Sequence, residues 1–268
     1  MPSSSIKMPY RFLGDTGLLV SQISLGAWMR KDERCTDANW YNIMTHAFKN
    51  GVNYFDNAEM YMRGESEEIV GRAIQKGIQE GVWSREDLVL STKIFFGSSK
   101  DGPNHQGLSR KHIVEGMKAA LKRLQTDYVD VVFCHRPDEC TPIEETVRAM
   151  NYAIKKGWAF YWGTSQWMPA DIMEACEIAD RLGLIRPVVE QPVYNIFDRP
   201  RVEYGFLDLF KKYKLGLTTY SPLAFGILTG KYINGTPEEI KARIDAAVDY
   251  KVQIPEKDSL GAIRAQYL

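Results

Sequence analysis

Short apolar runs of strand length recur along this chain at intervals of about thirty residues. They begin near Ile23, Tyr54, Leu88, Val129, Ala159, Val188 and Gly216, so successive starts lie 31, 34, 41, 30, 29 and 28 residues apart. That spacing is the size of one strand–helix unit returning to a parallel neighbour. The runs LVLSTKI (88–94) and VDVVFCH (129–135) are mostly apolar instead of strictly alternating, as strands covered on both faces must be. Helix-start chemistry lies between them. Ser109 is placed to cap a helix running to about Leu124, while TPIE (141–144) and TPEE (236–239) each set threonine at the cap, proline next and glutamate at the third position. Such alternation allows a doubly wound sheet or a closed barrel. No G-x-G-x-x-G follows any of the runs, which weighs against the doubly wound dinucleotide fold. The expected fold is therefore α/β, a (β/α)8 TIM-type barrel. A preceding segment, YRFLGDTGLLV (10–20), is expected to form a small hairpin turning at Gly14 to Gly17 that plugs the bottom of the barrel.

Composition narrows the function classes. With 268 residues, 44% of them hydrophobic, the chain suffices for one large domain spanning 1–268. Lysine plus arginine (34) equals aspartate plus glutamate (34), so the basic excess of a nucleic-acid or anionic-membrane binder is missing. Cys35, Cys134, Cys140 and Cys176 form no C-x-x-C pair; metal ligation is not expected, and free thiols of a cytoplasmic protein are. Neither a signal-type N-terminus nor a run approaching roughly 18 apolar residues is present, so the chain is not expected to be embedded in a membrane.

In a barrel of this type the strand ends converge on one face, where active sites sit. Asp56 ends the second strand, with Tyr61 five residues beyond; Lys93 lies near the end of the third, and His135 ends the fourth. A tyrosine with an ordinary pKa near 10 is a poor proton donor to a carbonyl unless a cation stabilises its phenolate. Lys93 supplies such a cation, Asp56 balances it, and His135 can orient a carbonyl. Singly, each is as well read as a helix cap, a loop anchor or a structural ion pair; together, on three consecutive strand ends, they read as an acid site. Ser165 ends the fifth strand and Gln191 lies in the sixth. Both can hydrogen-bond a carboxamide, although a glutamine there is also an ordinary ladder residue. After the seventh strand comes TTYSPLA (218–224), then Gly226, Gly230 and Lys231. This is either a phosphate cradle or a plain turn with a solvated lysine.

Several longer motifs in a fixed order resemble the aldo-keto reductase superfamily, and most closely the β subunits of voltage-gated potassium channels, in their plant-type branch. They are GVNYFDNAEMY (51–61), LSRKHIVEG (108–116), HRPD (135–138), TPIEETVRAM (141–150), WAFYWGTS (158–165) and SPLA (221–224). The likeness runs from about Tyr10 to about Tyr232. It implies NADPH as cofactor and Asp56, Tyr61, Lys93 and His135 as the catalytic set. Hydride would pass from the nicotinamide to an aldehyde or ketone while Tyr61 protonates the oxygen. By the same resemblance Asp56 also borders the cofactor, Ser165, Gln166 and Gln191 hold the carboxamide side, and Tyr220 stacks on the ring. Ser221, Pro222, Leu223, Ala224 and Phe225, with Lys231, match the pyrophosphate loop, and Trp28 lies beside substrate and cofactor. The implied partners are a small carbonyl compound and a voltage-gated potassium channel α subunit, met by a homotetramer that stays cytoplasmic and peripheral to the membrane. The likeness leaves open a mainly regulatory subunit and a truncated, inactive paralogue.

This chain departs from the pattern in three places. His135 stands where animal channel subunits carry asparagine. Ala27 and Arg34 replace residues that usually touch the cofactor. The family's last strand and helix, with the loop that grips the 2′-phosphate, are missing or atypical in the tail 233–268. On that reading the adenosine end of the cofactor is held weakly, with little preference for NADPH over NADH.

Overall fold

The computed structural model describes residues 7–28, 35–98 and 102–230, together with 238 and 241. Two short strands, β1 (Tyr10–Phe12) and β2 (Leu19–Ser21), form an antiparallel hairpin. Seven parallel strands follow: β3 (Leu25–Gly26), β4 (Tyr54–Asp56), β5 (Val89–Ile94), β6 (Val129–Cys134), β7 (Ala159–Thr164), β8 (Val189–Glu190) and β9 (Gly216–Leu217). They are hydrogen-bonded in that spatial order, each to its sequence neighbour. Helices α1 (Asp37–Lys49), α2 (Glu65–Gln79), α3 (Arg110–Leu124), α4 (Ile143–Lys155), α5 (Pro169–Leu182) and α6 (Leu207–Tyr213) occupy the crossovers, and each packs on the next.

The sheet is curled. Three strands separate β4 from β8, so a flat sheet would hold them about 19 Å apart. Yet Gln191, just past β8, brings its Nε2 within 3.5 Å of Asp56 Oδ1 at the end of β4. Only a barrel wall brings those positions face to face. Side chains on a strand alternate in direction, and past the first residue of β6 and β7 the two sets separate by face. Phe55, Leu90, Val132, Cys134 and Trp162 face the helices in one large core. Tyr54, Val89, Val131, Phe133 and Val189 fill the interior together with Leu13 and Val20 of the hairpin. The hairpin thus packs against the interior side chains, and Gly14 explains how it seats. Its φ is +60°, and a Cβ there would lie 2.3 Å from the Val188 carbonyl and 2.8 Å from the Gly216 nitrogen, a conformation and an approach open to glycine. Arg11 fastens the hairpin by donating to the Leu217 carbonyl at 2.6 Å.

Strand starts follow the sequence reading within two residues. The first corrects it: Ile23 is 64% exposed and the strand begins at Leu25. Ser109 caps α3, accepting from the His112 amide. Thr141 does not cap α4; its hydroxyl donates to Asp138 Oδ2 at 2.6 Å, and the helix starts after an extended Pro142. Apart from residues 238 and 241, the TPEE segment and the 233–268 tail, where the last strand and helix were sought, lie outside the described residues, as do Arg34 and Lys231. Among the described residues no helix is long and apolar enough to cross a membrane.

Candidate active site

The interior-facing alternation that builds the core also delivers the polar groups. Continuing Tyr54, the next inward residue is Asp56; Val89 leads through Ser91 to Lys93, Val131 through Phe133 to His135, and Val189 to Gln191. These side chains meet at the carboxyl end of the barrel. Lys93 is wholly buried, and its Nζ lies 2.5 Å from Asp56 Oδ2, 2.7 Å from the Asn57 carbonyl and 3.3 Å from the Tyr61 hydroxyl. Ser91 donates to Asp56 Oδ1 at 2.6 Å. An ammonium in such a place survives only with a full set of acceptors, and here it has them.

Tyr61 opens a single-turn 3-10 segment, Tyr61–Gly64. The residues after it, Met62, Arg63 and Gly64, have φ of 51°, 57° and 93°. Consecutive left-handed residues are strained by about 1–3 kcal/mol each where a Cβ is present, so the surroundings must hold them. Ser66 donates to the Ala27 carbonyl at 2.9 Å and to Asn57 Oδ1 at 3.1 Å. Buried Glu67 accepts from Thr92 at 2.5 Å and from Arg123 at 2.7 Å. Buried Glu59 accepts from the amides of Phe95 (2.7 Å) and Gly97 (2.8 Å), fixing the loop that sets Phe96 against His135 at 5.2 Å between ring centroids.

Burial raises the Tyr61 pKa, with Lys93 pulling the other way. The phenol is therefore protonated at neutral pH and sits beside the cation that favours its loss. Burial also disfavours the Lys93 ammonium, but Asp56 and Tyr61 outweigh it and the Lys93 pKa is raised. His135 packs edge-on against Tyr61 at 5.9 Å. Burial, with Lys93 and Arg136, holds its pKa well below the ordinary range, so the imidazole is neutral.

The second group of expected residues lies on the next strand ends. Ser165 donates to the Gln191 carbonyl at 2.8 Å. Gln191 Nε2 is 3.2 Å from Thr218 Oγ1, and its Oε1 has no donor among the described residues. Gln166, left-handed at φ 60°, bonds the Tyr220 hydroxyl and takes 2.8 Å donation from Arg201. Beyond Tyr220, Ser221 and Ala224 have φ of 52° and 46°, and Leu223 between them is right-handed (φ −96°, ψ 14°). The Ala224 N–H donates to the Ser221 carbonyl at 3.0 Å, closing a tight turn there. Trp28 is 44% exposed after β3. Phe225 lies in the turn 224–229; its side chain and Lys231 fall outside what is described.

Three groups were not singled out by sequence. Glu190 is fully buried, accepts from Thr164 at 2.5 Å, and has its pKa pushed up by burial to about 7. Arg136 and Arg201 bring guanidinium groups to the same end of the barrel. A charged residue after a strand was the available signal, but its partners lie far off in sequence.

The chain matches the family model described as Aldo/keto reductase family over residues 22–254. It is 57% identical over 228 residues to an Arabidopsis thaliana protein named "Probable voltage-gated potassium channel subunit beta", covering 85% of this chain and 68% of that one. A protein of the same name from Oryza sativa subsp. japonica is 54% identical over equal shares.

Proposed function

This chain belongs to the aldo/keto reductase family, and we propose that it reduces small aldehydes and ketones using NADPH, with Tyr61 as the proton donor. The observation that carries the reading is the buried Lys93 ammonium joining Asp56 to the Tyr61 hydroxyl beside a neutral histidine. The residues present fit the cofactor. Gln191 Oε1 has an acceptor to spare, and Ser165 and Gln166 flank it on the neighbouring strand end. When bound there, the cofactor supplies hydride. Asp56, Tyr61, Lys93 and His135 act on the oxygen. Tyr61 holds its proton until negative charge builds on the carbonyl oxygen, and Lys93 stabilises the phenolate left behind. His135, uncharged, orients the carbonyl without adding a second positive charge. Trp28, Tyr220, Ser221 to Phe225 and Lys231 line the cofactor's path on this reading.

The test is steady-state oxidation of NADPH, and of NADH beside it, by the purified chain with a panel of small aldehydes. Aldehyde-dependent oxidation supports the reading; a chain that binds the cofactor but turns over no aldehyde opposes it. The names of the two plant relatives favour a companion role, a homotetramer docked on the cytoplasmic face of a voltage-gated potassium channel α subunit. Light scattering and co-purification with the channel's cytoplasmic part test it. A monomer at micromolar concentration that captures no channel would argue against it.

A further inference from the structure

One cation at the mouth of the site has no task in this chemistry. Arg136 follows His135 directly, and its Nη1 donates to the His135 carbonyl at 2.6 Å. Its guanidinium lies 5.8 Å from the centre of the Phe96 ring and 5.9 Å from that of Tyr220. It is thus held between the side chain that flanks His135 and the one that Gln166 bonds. It belongs to the same small volume as the reacting groups, because it follows His135 and lies against Phe96, whose ring packs on that imidazole.

Two other partly buried guanidinium groups of this barrel have carboxylates, while Arg201 donates to the Gln166 side-chain oxygen at 2.8 Å. Arg85 meets Asp130 at 2.9 Å, and Arg123 meets Glu67 at 2.7 Å. Arg136 has no carboxylate within ion-pair distance among the described residues. Glu190, which it feels at longer range, has a pKa of about 7 and is only partly ionised at neutral pH. Lys93 is already matched by Asp56. The pocket is left with an uncompensated positive charge carried by a rigid fork of donors. Leaving such a group partly desolvated and unpaired is unfavourable. A planar carboxylate is its best complement, because two parallel N–H···O bonds form at once.

We propose that Arg136 is a specificity-determining residue that selects carbonyl substrates bearing an anionic group, a carboxylate above all. Phe96, 5.8 Å from the guanidinium, supplies an apolar wall for the spacer between that carboxylate and the carbonyl. The inference rests on the reductase reading and names its substrate class.

The experiment compares 4-carboxybenzaldehyde with uncharged 4-methylbenzaldehyde, using NADPH and the wild-type, R136M and R136K proteins. The wild type is expected to favour the charged aldehyde in kcat/KM by tenfold or more, from one charge-assisted pair. R136M should lose at least tenfold more for the charged aldehyde than for the neutral one, mostly through KM. R136K, which keeps the charge without the fork, should fall between. A readout free of turnover accompanies this: calorimetric binding of 4-methylbenzoate to the wild type, weakened about tenfold in R136M. Equal losses for both aldehydes would mean that Arg136 serves the cofactor or the fold, and would overturn the inference. Turnover of both aldehydes by the wild type without charge preference would remove the inference alone. Turnover of neither would remove the reductase reading and the inference with it.

Discussion

Replacing Lys93 with methionine separates the structural work of this residue from its chemical work. The side chain is wholly buried and its partner Asp56 is 14% exposed. Methionine fills most of the space but leaves the Asp56 carboxylate with only Ser91 at 2.6 Å and Gln191 at 3.5 Å. Removing one member of a buried ion pair costs about 3–5 kcal/mol, most of it the penalty of the charge left behind. A chain of this size should then melt on the order of 10 °C lower. Adding Asp56→Asn removes the stranded charge. The double variant D56N/K93M should therefore recover most of the lost stability and show a coupling energy well above zero. Carbonyl reduction should not return in the double variant, because no cation remains to stabilise the Tyr61 phenolate. Chemical denaturation of the wild type, both single variants and the double variant reads this cycle. If K93M lies within about 1 kcal/mol of wild type, or if D56N/K93M is no more stable than K93M, the buried-pair argument fails.

Glu190 should make stability fall as pH rises. Its folded pKa of about 7 exceeds the ordinary 4.5, so between these values the unfolded chain sheds a proton that the folded chain keeps. Stability from this group is complete below about pH 4.5 and declines by about 3 kcal/mol by pH 7, then levels. Glu190→Gln should flatten that part of the denaturation profile, and an unchanged slope would count against the burial described. Gly14→Ala should destabilise by about 1–3 kcal/mol, because the new Cβ meets the Val188 carbonyl at a left-handed position. A neutral result in thermal melts would mean that the hairpin does not seat against the strands.

The strands were legible because burial on both faces leaves a continuous apolar signature, as in β5 and β6, every residue of which is buried. The short strands β8 and β9, of two residues each, were found through the thirty-residue beat more than through their own composition. The cluster of Asp56, Lys93 and His135 was readable as a cluster because each lies at or near the end of a run, and strand ends converge in this fold. Thr141 misled because its pattern is a helix start, while the deciding partner, Asp138, lies three residues upstream in a loop. Arg136 and Glu190 stayed hidden for a related reason. What makes them notable is burial and the company of Phe96, Tyr220 and Thr164, and those partners come from other strands distant in sequence.

The central claim is that the Tyr61 hydroxyl delivers the proton. Tyr61→Phe removes that oxygen and leaves Lys93, Asp56 and the cofactor contacts in place. The direct measurement is kcat for aldehyde reduction by wild type and Y61F, with the cofactor dissociation constant determined on the same samples. The account predicts that kcat falls about 10²–10⁴-fold while the dissociation constant stays within about twofold. A fall of less than about tenfold in kcat, with the cofactor still bound, would contradict it.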